Sequence, residues 1–202
     1  MLRIRGYLKG VSARVAQAAG GLLCIILFYL GMAASAGLVH AEPAPAATEQ
    51  QIKAAMLYKF LGYVEWPQQA FPVDASTFRI WVLGAEDIYQ ELQSITADRV
   101  INHRTIEVFT AQATRAIKDP HLVFVGAGAE RLLPTLHRLA QEHSFLIVTE
   151  AKNGLPEHST INFRVIDGRI GFDVSLINAH QQQLKLSARL LSVAATVEQE
   201  KP

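Results

Sequence analysis

Three short runs limit what this chain can become: Thr77–Leu83 (TFRIWVL), Leu122–Val125 (LVFV) and Ser144–Thr149 (SFLIVT). Each is apolar nearly throughout, where a sheet with one face in water would alternate. Amphipathic helical patterns separate them. Glu86 to Ala97 carries Ile88, Leu92 and Ile95 on one face, and Glu130 to Gln141 carries Leu132, Leu133, Leu136, Leu139 and Ala140. Thr105–Thr110 (TIEVFT) adds a further strand. Strands buried on both sides and joined by helices predict an α/β fold. It is a single-domain, open, mainly parallel sheet of about six strands with right-handed crossovers.

At the front of this unit, Thr48 with Gln51 three residues on predicts a capping box. Ile52, Met56, Leu57, Phe60, Leu61 and Val64 recur at helical spacing, so residues 49–64 read as an amphipathic helix stopped by Pro67 and Pro72. At the back the pattern changes. Ile161–Ile166 and Ile170–Val174 flank Asp167-Gly168-Arg169, and Asp-Gly in a two-residue turn predicts an antiparallel hairpin. That turn sets Ile161 against Val174, Phe163 against Phe172 and Val165 against Ile170 on an apolar, core-directed face. The other face sets Asn162 against Asp173, with Arg164 diagonal to it. Leu186, Leu190, Leu191, Ala194 and Val197 read as a closing helix.

The N-terminus reads as an address. Residues 1–41 hold Arg3, Arg5, Lys9 and Arg14 and no acid, then an apolar run from Gly20 to Val39, then small residues around Val39-His40-Ala41. This is the layout of a secretory signal peptide over 1–41. A run of that length also suits an uncleaved anchor, but the cleavage-like end favours removal. Residues 42–47 form a linker and 48–198 the α/β domain. Beyond residue 41 the chain has 15 basic and 18 acidic groups, which excludes a broad basic surface for nucleic acid. The one cysteine, Cys24, lies in the apolar run, so the body has no disulfide, thiolate nucleophile or cysteine-bound metal.

Few residues ask for chemistry. Gly126-Ala127-Gly128 follows a strand and precedes a helix, where N–H groups could hold an anion near Gly84. The third glycine of a dinucleotide fingerprint is missing, since residue 131 is Arg, and close strand–helix packing is the plainer reading. The body histidines His103, His121, His137, His143, His158 and His180 form no pair at i, i+3 or i+4 and read as surface or loop residues. Asp173, mid-strand, is either a general base or the ion-pair partner of Arg164. No catalytic residue, metal site or cofactor is expected. Tyr63-Val64-Glu65-Trp66-Pro67 stands out: Trp66 either seals the core beneath the helix end or joins Tyr63 and Glu65 in contacting a partner.

Ile52–Phe60 with Tyr63–Pro67 resembles the opening signature of the YfiR-like family. Phe78–Gly84, Asn102–Val108, Leu122–Gly126, Gly168–Val174 and Leu186–Leu191 resemble its later segments, in order, over roughly residues 50–195. The resemblance implies a periplasmic protein that catalyses nothing. It implies binding to the periplasmic domain of a YfiN-like inner-membrane diguanylate cyclase, which is held inactive, so that cyclic di-GMP and biofilm formation fall. It further implies release by a YfiB-like, OmpA-like lipoprotein, and a homodimer. The partner surface expected here is Tyr63, Glu65 and Trp66 with Arg164 and Asp173. The alternative is a ligand-sensing module reporting to a membrane histidine kinase or receptor, its ligand at Gly84, Gly126 and Gly128. The sequence departs from the family in its cysteine-free body, which cannot carry the family's disulfide chemistry. Lys59 and Gly62 also depart, standing where many members have Asn and a longer polar residue.

Overall fold

The computed structural model describes residues 46–71 and 76–199. The expected signal peptide and most of the linker lie outside the described residues. Helix α1 (Glu49–Tyr63) opens on the predicted capping box: the Thr48 hydroxyl accepts the Gln51 N–H at 3.2 Å, and the Gln51 side chain accepts the Thr48 N–H at 3.0 Å. Its buried stripe is Lys53, Ala54, Leu57, Phe60 and Leu61. The expected inward set is thus partly wrong: Ile52 is 37% exposed and Met56 half-buried, because the helix is apolar over a wider arc than the sheet can cover.

The strands are β1 (Val64–Glu65), β2 (Thr77–Leu83), β3 (Thr105–Thr110), β4 (Leu122–Val125), β5 (Leu146–Thr149), β6 (Ile161–Ile166), β7 (Arg169–Ser175), β8 (Lys185–Leu186) and β9 (Thr196–Glu198). Seven of them form one sheet in the order β3-β2-β4-β5-β6-β7-β9, parallel at every step except β6–β7. Helices α2 (Glu86–Thr96) and α3 (Leu133–His143) follow β2 and β4, and a 3-10 turn over Glu130–Leu132 leads into α3. The apolar strand runs divide by parity. Phe78, Ile80, Val82, Leu122, Phe124, Leu146 and Val148 share a core with α1 and α2, whereas Trp81, Leu83, Val123, Val125 and Ile147 share one with α3. This double burial is why these strands do not alternate.

The hairpin has the predicted register, with Ile161 opposite Val174, Phe163 opposite Phe172 and Val165 opposite Ile170. Asp167 and Gly168 both have positive φ, 48° and 73°, as the turn requires. Its inner face is not wholly buried: Val165 is 59% exposed, because the tip projects beyond the core.

The closing helix is a correction. Leu186 pairs with Val64 in a two-stranded ribbon of β1 and β8, and only Ala188–Leu191 (α5) is helical. The Ala195 N–H then bonds the Phe172 carbonyl at 2.8 Å and draws the chain onto the edge of β7, so Val197 lies in a strand. A further short helix, α4 (Leu176–Gln181), was not expected.

The chain leaves β2 toward β3 on one side and leaves β4 toward β5 on the other, so the ends of β2 and β4 mark the switch point where open α/β sheets usually form a crevice. Here that crevice is closed. A Cβ on Gly126 would lie 2.6 Å from the Gly84 carbonyl oxygen, and Gly84 itself has φ +69°. The backbones touch where a ligand would otherwise enter. Gly126→Ala should therefore destabilise the fold by about 2 kcal/mol or more, read as a lowered denaturant midpoint.

Candidate functional site

The residues singled out by the sequence fall into three places. The first is the C-terminal end of α1. The Tyr63 carbonyl accepts the Ser187 N–H at 2.9 Å, and Glu65 sits across the ribbon from Lys185. Glu65 is exposed and Tyr63 half-exposed. Trp66 is anchored instead: its ring packs on Phe78 at 5.3 Å and its indole N–H donates to the His121 carbonyl at 3.2 Å. Tyr63 also lines a groove of about 330 Å³ between α1 and α5, floored by Met56, Phe60, Phe172 and Leu190. Val193 stands over this groove at 67% exposure, and Lys59 and Arg189 border it. Met56, from the apolar arc that α1 does not fully bury, lies in this groove.

The second place is the polar face of the hairpin. One guanidinium nitrogen of Arg164 donates to both Asp173 oxygens, at 3.1 and 3.3 Å. Asp173 is 4% exposed while the Arg164 side chain reaches solvent, so the aspartate orients and the arginine is presented. Arg164 shares a cleft with Glu49, Lys53 and Glu150. Lys53 is held by Glu49, one turn before it, and by Glu150 at 2.7 Å. Burial opposes its charge, but hydrogen bonds to Glu150 and Glu49 outweigh that and raise its pKa above the ordinary lysine value. Lys53 and Tyr63 are ten residues apart on one helix, roughly 15 Å along its axis. The fold therefore does not unite the hairpin pair with Tyr63 and Glu65.

The third place is the sealed switch point. The N–H of Gly126 donates to Leu83, and those of Gly128 and Ala129 to Gly126. A ligand at Gly84, Gly126 and Gly128 would find these donors already bonded, which suits the plainer reading of this turn as a packing device.

One residue overturns its expectation. His121 is not a surface histidine: it is 1% exposed, ringed by Trp66, Phe71 and Phe78. Its Nδ1 accepts the Arg79 N–H at 3.1 Å, and its Nε2 has no partner among the described residues. The guanidinium of Arg104 lies 4.0 Å from the centre of the Phe71 ring. Sequence reasoning also missed Lys53, although 53, 57, 60 and 61 fall on one helical face, a spacing that marks a buried lysine. His137 and His158 stack at 4.9 Å from distant positions. Among the described residues, no three His, Cys, Asp or Glu side chains converge to hold a metal.

Burial, then the positive charges of Arg79 and Arg104, push the His121 pKa down to about 4; Asp119 opposes them weakly. The folded imidazole stays neutral where the unfolded one, titrating near 6.5, takes a proton. The unfolded state binds more protons in that window. Stability should thus fall as pH drops from about 6.5 toward 4, by up to about 3 kcal/mol. His121→Asn keeps an acceptor near Nδ1 and removes the titration. Unfolding midpoints at pH 7 and pH 5 should therefore converge in the variant.

Comparison with protein-family models matches residues 50–195 to the family described as YfiR/HmsC-like. No curated protein matches the sequence. The match runs from the second residue of α1 to the residue before β9, and the ordered segments from which the resemblance was read all lie within it. The chain belongs to the YfiR/HmsC-like family.

Proposed function

We propose that this protein is a periplasmic regulator that works by contact. It binds the periplasmic sensing domain of an inner-membrane diguanylate cyclase and holds the enzyme inactive, lowering cyclic di-GMP and biofilm formation. The observation that carries this reading is the family match across almost every described element. The groove beside Tyr63 supports it, because a half-exposed aromatic with Val193 and Met56 offers rigid apolar area of the kind that anchors interfaces. Among the described residues no helix is long and apolar enough to cross a membrane.

The energetics set what the contact must do. A repressor moves an equilibrium only by its difference in affinity for two states. Holding an evenly poised cyclase 99% inactive requires roughly 100-fold tighter binding to the inactive form, about 3 kcal/mol. Two well-placed apolar anchors are enough for that. In this arrangement Tyr63 and Glu65 touch the partner and Trp66 fixes the helix end behind them. Arg164, set by Asp173, is a separate contact. An OmpA-like lipoprotein would release the cyclase by covering the same residues.

Deleting the gene should raise cellular cyclic di-GMP, and restoring the natural sequence should lower it. Val193→Asp places a charge over the groove at an exposed position, so its stability should stay within about 0.5 kcal/mol of the parent. It should nevertheless fail to restore repression, as should Tyr63→Ala. An unchanged cyclic di-GMP level in the deletion strain would sink the proposal.

A further inference from the structure

The two sheet faces are covered unequally. One carries α1 and α2; the other carries α3, eleven residues long, and the irregular segment between β3 and β4. Between α3 and that segment lies a cavity of about 730 Å³, in the size range of small-molecule sites. It opens at the N-terminal ends of the parallel strands, where Pro120 precedes β4 and Phe145 precedes β5, away from the sealed switch point.

The floor is apolar. Leu136 and Phe145 are buried, and Ile117 and Leu139 are half-buried at the border of the second core. The rim is charged, and its acids are occupied. Asp119 is held by Arg79 at 2.7 Å and Glu142 by Arg138 at 2.9 Å. Arg138 and His143 also complement the carbonyl end of α3. Arg115 and Lys118 are exposed and have no ion-pair partner among the described residues. Arg79 is shared with Glu107 at 3.5 Å, so the surplus at the mouth is one positive charge, presented by Arg115 and Lys118.

We propose that this cavity binds an amphipathic carboxylate with an aliphatic body of medium length. The chain lies against Ile117 and Leu139, above the buried Leu136 and Phe145, and the carboxylate meets Arg115 and Lys118. A small inorganic anion would leave Ile117 and Leu139 wet. A neutral alkane would cover the two cations without pairing them, which costs desolvation with no return. A ligand with one anionic head and an apolar tail satisfies both parts. This site is separate from the groove beside Tyr63, and its test involves no cyclase.

The test is calorimetric titration of the purified protein with sodium decanoate, with decyltrimethylammonium and phosphate as controls. Decanoate should saturate a single site at submillimolar concentration, and neither control should. Arg115→Glu with Lys118→Glu should weaken decanoate binding at least tenfold, as should Leu139→Gln, while the circular dichroism spectrum stays that of the parent. The neutral pair Arg115→Gln and Lys118→Gln keeps the test decisive where charge reversal disturbs folding. Three results would each overturn the proposal: no saturable decanoate binding, equal binding of the ammonium amphiphile, or binding that none of these variants weakens.

Discussion

The parallel spine β2-β4-β5 carries the rest of the molecule. Its inner residues are buried on both faces, and strands in that situation need helices on each side to keep the backbone and apolar side chains from water. The two faces are then served by what the crossovers provide. Face one receives α1 and α2, and the hairpin extends its core through the Phe60, Phe163 and Phe172 cluster, with ring centres 5.2 and 5.8 Å from Phe60. Face two packs its apolar core against α3, whose Gln141 meets Gln181 of α4 at 3.3 Å.

Several buried polar groups inside this frame are bonded to the loops beside them, although His121 Nε2 and Gln182 Nε2 find no partner among the described residues. Asn162, fully buried, bonds the Thr149 hydroxyl at 2.7 Å and both backbone groups of Ala151, which pins the loop that follows β5. Asn178 donates to the carbonyls of Glu157 and Ser159 and holds the far end of the same loop. Lys53 and Asp173 each keep a charge under cover by pairing it. His121 stays neutral because burial and two neighbouring guanidinium groups leave no room for a proton. A domain without cysteines depends on such pairings to define one arrangement of its loops.

The closed crevice between β2 and β4 bears on how the protein works. In many open α/β proteins that crevice receives a small molecule. Here Gly84 and Gly126 bring backbone against backbone, and the nearby N–H groups of Gly126, Gly128 and Ala129 donate to the carbonyls of Leu83 and Gly126. The groove by Tyr63 lies elsewhere, whereas Ala127 of this turn lines the same cleft as Arg164.

Much of this was legible in the amino-acid order because it depends on neighbours in the chain. The Thr48–Gln51 box, the period of the helices and the Asp167-Gly168 turn act over a few residues. The turn even sets the pairing of Arg164 with Asp173, since a two-residue loop leaves one register. What only the tertiary structure decided rests on contacts between distant segments. Leu186 obeys a helical period but pairs with Val64, since that ribbon bonds backbone groups a lone helical turn would leave open. His121 looks like a loop residue until Trp66, Phe71 and Phe78 close around it. Gly126 is one more turn glycine until Gly84 meets it. Local sequence sets dihedral angles and faces; burial and close approach belong to the packed whole, where segments far apart in the chain compete for the same space.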